Sequence, residues 1–481
     1  MPSGLFGIAR SALLTHQQVL QTVAHNIANA ETPGYSRQEA VLSSNMPTRL
    51  SYGLVGTGVR VETIVRKRDI LLDEGFRSAT GQSGEAELRR DTLSAIENIF
   101  GEPSDAGLTS ALDEYWNSWG DLASTPSSQA ARAVVQQRGA QVANLLNSYD
   151  GGLNLQRTYT LERMTNMVGD INQIATQLAD MNGRISQMES GGGNAGDLSD
   201  KRDMLLDQLS TLAGIRSIPQ ANGTITVVIG NSTLVDGSTA RPLNIDLVPP
   251  VPPPTVPTPD VPVRIRLGNS LDALTPFGGQ LKAMSDLVNK DIPEIRSRLD
   301  TLASSLVTSV NAAHTQGFVF TGSTLPGAAA GNFFDPGTVT APVSAATIKL
   351  SATVLSDINA IAASNDAMAP LSNSVANAMV ALRNDTTTVN YTYGSTSETG
   401  SFLSFFRSTA TRIGLEVNSA TDDSTVASLL VEQTDVRRQS VSGVNTDEEL
   451  VQMLRVQQAY TAATKLIKTA DEMLQTLLAL V

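Results

Sequence analysis

Few side chains of this chain have the type and spacing that a chemical reaction needs. Its 481 residues include no cysteine and three histidines, His16, His25 and His314, which lie far apart in the sequence. Without thiolates there is no cysteine nucleophile and no cysteine-ligated zinc, and isolated histidines do not form a histidine-rich metal site. The sequence also lacks a Gly-Lys pair, HExxH and GxSxG, the signatures of phosphate-binding loops, zinc proteases and serine hydrolases. We therefore predict no enzymatic activity, no cofactor and no metal.

Two weaker patterns also argue against a reaction site. Asp197, Asp200 and Asp203 recur at helical spacing on one side of a predicted helix, and we interpret them as a solvated face. The glycine-rich stretch at 53–58 has neither the GxGxxG spacing nor the following helix that phosphate binding requires.

Length and charge limit the remaining classes of protein. At about 150 residues per domain, the length predicts roughly three domains. Lysine and arginine number 34 against 47 acidic residues, so the net charge of −13 opposes broad binding to nucleic acid or anionic lipid. No apolar run approaches the roughly 18 residues of a membrane span, so we predict no membrane insertion. Residues 1–30 do not resemble a cleavable secretion signal.

Both ends of the chain carry a narrow apolar stripe in which spacings of three and four alternate. This alternation is typical of a coiled-coil seam. Thr446 followed by three acidic residues indicates the N-cap and first turn of the C-terminal helix. The N-terminal stripe comprises Phe6, Ala9, Leu13, His16, Leu20, Val23, Ile27 and Ala30, and the C-terminal stripe comprises Met453, Val456, Tyr460, Ala463, Ile467, Ala470, Leu474, Leu477 and Val481.

An isolated helix of this kind is marginal in water, so each stripe needs a partner. The nearest candidates are the other terminal helix and the same helices of neighbouring subunits. Residues 1–40 have no net charge and residues 441–481 carry −2, so −11 of the total lies between them. The nearly neutral ends suit packing, whereas the middle supplies the solubilising charge.

The middle of the chain alternates between helical and extended patterns. Residues 51–68 are predicted to be extended, Thr224–Ile229 and 263–267 to be strands, and Pro249–Pro262, with eight of the 21 prolines, to be a linker. Trp116 and Trp119 share one helical face and favour core anchoring. Helices are predicted near 68–100, 108–119, 128–148, 153–189, 197–212 and 281–313 (kinked or divided at Pro293), and from Phe402 onward beyond a β-prone stretch at 386–400.

The fold class that follows is mainly α with a β-rich insertion, arranged as nested, discontinuous layers. Terminal coiled-coil helices enclose a helical rod domain and an outer β-containing domain. The predicted division assigns 1–45 and 441–481 to the terminal core, 46–215, 271–318 and 401–440 to the helical domain, and 216–270 and 319–400 to the outer domain.

Residues 25–38, HNIANAETPGYSRQ, form the most specific motif of the chain. Asn26 and Asn29 lie near a helix end, where side-chain amides satisfy free backbone groups, and Thr32, Pro33 and Gly34 are turn residues. The motif closely resembles the N-terminal signature of bacterial flagellar axial proteins, the rod, hook and hook-associated subunits. Tyr35 still belongs to this shared signature. The extension that follows it, Ser36, Arg37 and Gln38, is similar to the hook-associated protein 1 family, although Glu31 stands where that family more often has Asn.

Further blocks support the same resemblance in the same order along the chain. They are residues 56–69, 101–135, 198–215, 310–318 and 442–478. The resemblance implies a tubular self-assembly through the terminal helices, with the hook protein and a second hook–filament junction protein as neighbours. It also implies an extracellular location in the flagellum, export without a cleaved signal and an export chaperone at the C-terminal helix.

The residues expected to mediate assembly lie in the two stripes and in the motif. Another axial subunit of hook or rod type remains an alternative, as does, more distantly, a secreted enzyme or adhesin domain within 216–400. The assembly residues are Phe6, Leu13, Leu20, Val23, Asn26, Ile27, Asn29, Thr32, Pro33, Gly34, Tyr35, Ser36, Arg37, Met453, Val456, Tyr460, Ile467, Leu474 and Leu477.

Overall fold

The computed structural model is 62% helical, which confirms the mainly α class. It describes residues 2–50, 53–247, 260–270, 272–319, 325–338 and 341–479. The α-helices of the described residues are α1 (Pro2–Ala28), α2 (Ile70–Phe100), α3 (Leu108–Ser124), α4 (Gln129–Ser190), α5 (Gly196–Ala213), α6 (Gly279–Asp286), α7 (Ile292–His314), α8 (Ala352–Ser356), α9 (Ser374–Leu382), α10 (Phe402–Ser442) and α11 (Thr446–Ala479).

The strands are short and belong to small antiparallel sheets. β5 to β8 form a four-stranded sheet in chain order, and the other strands pair as β1–β4, β2–β3, β9–β10, β11–β12 and β13–β14. Their bounds are β1 (Gln38–Ser44), β2 (Thr48–Leu50), β3 (Gly53–Val55), β4 (Val59–Arg66), β5 (Ile215–Pro219), β6 (Ile225–Ile229), β7 (Ser232–Asp236), β8 (Thr239–Ala240), β9 (Leu243–Leu247), β10 (Val263–Leu267), β11 (Phe318–Val319), β12 (Ala328–Ala329), β13 (Val389–Tyr393) and β14 (Thr396–Gly400).

The two ends of the chain pair with each other. α1 and α11 pack side by side, and β1 and β4 lie against α1. Thr15 of α1 donates its hydroxyl to the Val59 carbonyl of β4 at 3.0 Å. We call these elements, residues 2–66 and 446–479, the terminal unit. The first of the two expected partners for the apolar stripes, the other terminal helix, is therefore confirmed.

Two larger apolar clusters lie outside the terminal unit. The first combines α3, the first half of α4, α7 and the start of α10 with residues 333–391, and it buries both tryptophans as expected. The second combines the second half of α4 with α5, α6 and β5–β10. The two β-containing stretches that were grouped as one outer domain thus contribute to different clusters, and the three-domain division stays a prediction.

The expected pair of helices at 128–148 and 153–189 is wrong, because α4 continues unbroken from Gln129 to Ser190. The Gly151-Gly152 pair lies between the two expected helices. A Cβ atom at Gly152 would lie 2.7 Å from Cγ2 of Ile99 on α2. Glycine here permits close approach of two helices and does not end one.

Other local expectations are confirmed. The strands at 224–229 and 263–267 and the hairpin within 386–400 are present. Pro293 marks a division, since a π-helical turn at Leu287–Asp291 precedes it and Pro293 lies in the first turn of α7, where its missing N–H costs little. Most of the proline-rich linker, residues 248–259, lies outside the described residues.

His314 is a fully buried residue of the first cluster. Its Nδ1 lies 2.7 Å from the Gly331 carbonyl, to which it donates, and its Nε2 accepts from the Ala362 N–H at 3.0 Å. This pairing fixes a neutral ring with the proton on Nδ1. Burial lowers the pKa of His314 to about 4.

We therefore expect acid to destabilise the first cluster through His314. Below about pH 6.5 the unfolded chain binds a proton that the folded chain does not, so the free energy of unfolding falls by up to about 1.4 kcal/mol per pH unit. His314→Asn should flatten this dependence between pH 6.5 and 5 in urea titrations. His16→Asn, in the terminal unit, is the control and should keep the original slope; a parent chain as flat as His314→Asn would contradict the prediction.

Candidate functional site

The predicted stripes face each other in the terminal unit. Val23 and Val456 are buried and form its apolar centre with Val19, while Leu20, Ile27 and Met453 pack around them. Ala463 and Ala470 are also buried, which lets the helices approach closely. Phe6, Leu13, Ile467 and Leu474 are half-buried and Tyr460 is more exposed; the side chain of Leu477 lies outside the described residues.

The start of α11 differs from expectation in its cap. The expected N-cap Thr446 is wrong, because the Asn445 side chain accepts hydrogen bonds from the backbone N–H groups of Asp447 and Glu448 at 3.0 and 3.4 Å. Asn and Thr are both favoured caps, so residue type alone does not distinguish Asn445 from its neighbour Thr446. The acidic first turn is present as predicted.

The Asn26 side chain connects both ends of the chain. Its Nδ2 donates to the Gln38 carbonyl at 2.9 Å and to Glu449 Oε2 at 3.0 Å. Its Oδ1 accepts from the Gln38 N–H at 2.9 Å and from the Tyr35 hydroxyl at 2.8 Å. All of these partners lie around a buried amide, so the end of α1, the start of β1 and the first turn of α11 are held at one point.

Glu449 is the buried carboxylate of this arrangement, with its side chain 2% exposed. Besides Asn26, it binds Arg37 through Nε at 2.8 Å, and Arg37 also reaches Glu448 at 3.2 Å. The Arg37 N–H donates to the Ser442 carbonyl at 2.9 Å. Arg37 of the motif therefore binds both the end of α10 and the first turn of α11.

The rest of the motif ends α1 and turns the chain. Asn29 donates to the His25 carbonyl at 2.9 Å, which satisfies a carbonyl at the helix end as expected. His25 Nδ1 lies 3.0 Å from the Tyr35 hydroxyl oxygen. Burial, and then the charges of Asp197, Asp200 and Glu449, raise the pKa of Tyr35, so this phenol stays protonated. Thr32 and Pro33 are exposed.

The interpretation of Asp197, Asp200 and Asp203 as a solvated face is wrong for Asp200 and Asp203, whereas Asp197 is exposed as expected. Asp200 and Asp203 are 5% exposed. Asp200 accepts from both the backbone N–H and the hydroxyl of Ser36, at 3.1 and 2.6 Å, and Asp197 accepts from the Gln38 side chain at 3.0 Å. The motif therefore binds to the first turns of α5 through these hydrogen bonds.

Arginines at the end of β4, directly after it and on α2 complete the contact. Arg66 Nη1 lies 2.8 Å from Asp200 and 2.7 Å from Asp203. Arg68 lies 3.1 Å from Asp203 and binds Asp73 at 2.7 Å, and Arg77 lies 3.4 Å from Asp203. We call the contact of residues 25–38 and 66–68 with Asp197–Asp203 and the first turn of α11 the joint.

The electrostatics of the joint keep its groups charged. Burial alone would raise the pKa of Asp203, but Arg68, Arg66 and Arg77 outweigh it and the pKa lies below the ordinary value. Burial would likewise lower the pKa of Arg68, yet Asp73 and Asp203 raise it. Because Asp203 stays ionised, its contribution to stability persists down to acid pH and is lost only as the pH falls through its lowered pKa.

The joint residues Asp200, Asp203, Arg66, Arg68 and Glu449 were missed as site residues. A usable signal was present: carboxylates three residues apart on one helix face, and a separate Arg66-Lys67-Arg68 run directly after a strand. The opposite charges of these two groups favour their pairing. However, Arg66 and Asp200 are 134 positions apart in the sequence, and no local pattern indicates that the fold brings them together.

Asp203→Asn should be strongly destabilising, because it removes a buried carboxylate that the buried Arg77 and the half-buried Arg66 and Arg68 share. Breaking one side of a buried ion pair typically costs about 3–5 kcal/mol of unfolding free energy. Asp180→Asn is the matched control, since Asp180 pairs with Arg184 on the surface of α4 and should cost less than about 1 kcal/mol. Equal losses in urea unfolding would show that the joint is not a buried ion-pair network.

Gly34 should tolerate no side chain. Its φ of +77° is left-handed, and a Cβ atom would lie 2.5 Å from Sδ of Met204 on α5. Gly34→Ala should therefore lose about 1–2 kcal/mol from backbone strain, plus the cost of displacing Met204. Adding Met204→Ala should recover the second part only, as measured by thermal unfolding.

Gly7→Ala in α1 is the matched control for Gly34→Ala, because a Cβ atom there meets nothing within 4 Å. It should be neutral or slightly stabilising, as alanine is in a helix. A loss at Gly7 equal to that at Gly34 would contradict the turn-specific explanation.

The described residues contain no group of three metal-ligating side chains close enough to hold an ion. Nor do they include a helix with the length and apolar character needed to cross a membrane.

Comparison with known proteins agrees with this arrangement of the two ends. Residues 6–35 match the family described as "Flagella basal body rod protein", and residues 438–480 match "Flagellar basal body rod FlgEFG protein C-terminal". Both of these families belong to the bacterial flagellum, so the two ends of this chain are similar to those of flagellar rod proteins. Residues 93–334, half of the chain, match "Flagellar hook-associated protein FlgK helical domain". The chain belongs to this hook-associated family and is a structural subunit of the bacterial flagellum.

Two curated relatives agree with the family. Flagellar hook-associated protein 1 of Bacillus subtilis strain 168 is 29% identical over 514 residues, with 98% of each chain covered. The protein of the same name from Salmonella typhimurium strain LT2 is 30% identical over 329 residues, which span 66% of this chain but 57% of that relative. The solved flagellar hook junction protein FlgK from Burkholderia pseudomallei aligns with a TM-score of 0.48 and 22% identity, over 55% of this chain and 47% of that one.

Proposed function

We propose that this chain joins the flagellar hook to the filament, and that it does so by self-assembly of its terminal helices into a tube. The observation that carries the proposal is the terminal unit itself. Within one copy, the apolar stripes of α1 and α11 cover each other. Leu14, Leu454, Leu466 and Met473 nevertheless remain 52 to 59% exposed on the outer faces of these two helices. Burying such side chains stabilises by about 1.5–3 kcal/mol each, and neighbouring copies supply the surface.

The neighbours follow from the hook-associated family. The hook protein contacts one end of the assembly and a second hook–filament junction protein contacts the other. An export chaperone binds the C-terminal helix before assembly, and the chain leaves the cell without a cleaved signal. The role is mechanical, and no catalytic step is part of it.

The joint gives the motif its role in this proposal. Phe6, Leu13, Leu20, Val23 and Ile27 set the pairing of the helices, and the motif residues from Asn26 to Arg37 set the direction in which the helical domain leaves them. Residues 1–45 and 441–481 then form the core of the tube, with the helical domain and the β-containing stretches outside it.

Ile467→Asp tests the assembly role of the stripe. The charge weakens the α1–α11 seam, but neither larger apolar cluster contains a residue of α11. We expect at least a tenfold loss of assembly in sedimentation and of filament attachment in cells, with the main thermal transition unchanged. Gln457→Asp, on an exposed position of the same helix, should assemble normally.

A different result would separate the alternatives. Equal loss of assembly and of thermal stability in Ile467→Asp would make this an ordinary core position and overturn the proposal. A rod or hook subunit is the second candidate, favoured by the rod-type matches of both ends. Complementation of a strain that lacks the hook–filament junction protein distinguishes the two, because only a junction protein restores filament attachment.

A further inference from the structure

Two Asn-Gly pairs, Asn182-Gly183 and Asn222-Gly223, lie beside each other in the fold, and no other asparagine of the chain precedes a glycine. Arg202 donates to both pairs, to the Asn182 side chain and to the Gly223 carbonyl. The backbone nitrogen that follows an asparagine can attack the side-chain amide carbon and close a five-membered ring. Glycine hinders this attack least, because it has no Cβ atom. The reactivity of each pair then depends on how the fold holds it.

The first pair, Asn182-Gly183, is held in a way that opposes ring closure. It lies inside α4, where the Gly183 N–H belongs to the hydrogen-bond ladder of the helix. Asn182 is buried. Its Nδ2 donates to the carbonyls of Ile225 and Gly237, each at 2.8 Å, and its Oδ1 accepts from the Ile225 N–H at 3.1 Å. Ring closure would break these bonds in the interior, so this pair should be inert.

The second pair, Asn222-Gly223, lies in the turn that connects β5 to β6. Asn222 is exposed. The turn closes through the Gly223 N–H, which donates to the Gln220 carbonyl at 3.1 Å, and Gly223 has a left-handed φ of +78°, as glycine permits. Ring closure here breaks one backbone hydrogen bond in a surface turn, where water can replace it.

The side chain of Asn222 is already folded toward the attacking nitrogen. Its Oδ1 accepts from the Thr224 N–H at 3.2 Å and from the Thr224 hydroxyl at 2.7 Å. To reach residue 224, the side chain must pass the Gly223 nitrogen, which brings Cγ of Asn222 close to it. The same two donors face the oxygen on which negative charge develops during the attack, as the donors of an oxyanion hole do. Thr224 is buried, so its hydroxyl is held in place.

We propose that Asn222 is a site of spontaneous deamidation and that Thr224 promotes the reaction. The Gly223 nitrogen forms a bond to Cγ of Asn222 and gives up its proton, while the Cγ–Nδ2 bond breaks and ammonia leaves with that proton. Water then adds to either carbonyl of the succinimide ring and opens it, to give an aspartate or an isoaspartate. The reaction consumes only water and needs no enzyme or redox partner. It is independent of the assembly role proposed above.

The modification changes both the charge and the backbone of the turn. Either product replaces a neutral amide by a carboxylate next to Glu189, whose own carboxylate lies against Gly223. Isoaspartate also adds a methylene group to the main chain and displaces the Gly223 carbonyl, which accepts from the buried Arg202 at 2.7 Å. Both effects loosen the β5–β6 turn. Because the released ammonia is lost, the amide is not restored, and the converted fraction increases with the age of each molecule.

Peptide mass spectrometry of the full-length chain tests the proposal. The chain is incubated at mildly alkaline pH, which favours loss of the backbone proton, and trypsin then separates the two pairs by cleaving at Arg184 and Arg216. In the folded chain we expect Asn222 to convert at least about tenfold faster than Asn182. In urea, where the fold no longer holds them, the two rates should agree within about twofold. Equal rates in the folded chain, or no conversion of Asn222, would overturn the proposal.

Two variants test the individual residues. Thr224→Val keeps the shape of the side chain but lacks the hydroxyl, so Asn222 should convert about fivefold more slowly in the folded chain and at an unchanged rate in urea. A folded-state rate equal to or above that of the parent would overturn the role of Thr224. Asn222→Gln is the control, because its longer side chain would need a six-membered ring, and the converted peptide should disappear. A converted peptide that persists would place the reaction at Asn231, in the same tryptic peptide, and overturn the proposal.

Discussion

The buried amide of Asn26 is the interaction on which the arrangement of this chain depends. Its two donors and its acceptor oxygen join the end of the first helix, the start of the first strand and the first turn of the last helix. An amide with all of these bonds made tolerates little rotation, because each lost bond would leave a buried polar group unsatisfied. The chain termini, 423 residues apart at this contact, are thereby registered against each other.

The joint is polar, whereas the bodies on either side of it are apolar. The terminal unit has a small apolar centre, and the second large cluster begins beyond Asp203 on the same helix. Between them lie arginine–carboxylate pairs whose geometry is directional. Two apolar surfaces can slide against each other at little cost in free energy. Bidentate and shared ion pairs resist such sliding, because their hydrogen bonds require a fixed geometry. The angle of the terminal unit is therefore set by the positions of Asp200 and Asp203 on α5.

Local patterns in the sequence were sufficient for the stripes, for the strands β3, β4, β6, β10, β13 and β14, and for the helix stop at the motif, because each depends on neighbours within a few residues. The Asn29 bond to the His25 carbonyl is of this kind. The pairing of Arg66 with Asp200 is not, since it needs the path of the whole chain between them. Asp200 was predicted to be solvated for the same reason. A carboxylate on a polar helix face has the same sequence pattern whether water or an arginine lies next to it. The prediction of two helices in place of the continuous α4 was wrong. Glycine is an ambiguous signal at this point, because it can end a helix and can also permit two helices to approach closely.

Helix α4 has a consequence for how the molecule unfolds. Its 62 residues extend about 93 Å and supply Val135–Leu153 to one cluster and Met164–Ala179 to the other. If either cluster opened alone, it would strip the packing from half of a helix that has little stability in isolation. The two clusters are thus coupled through a shared backbone ladder and should melt in a single cooperative step. Tension applied at one cluster likewise travels to the other along continuous hydrogen-bonded helix, without passing through a loop.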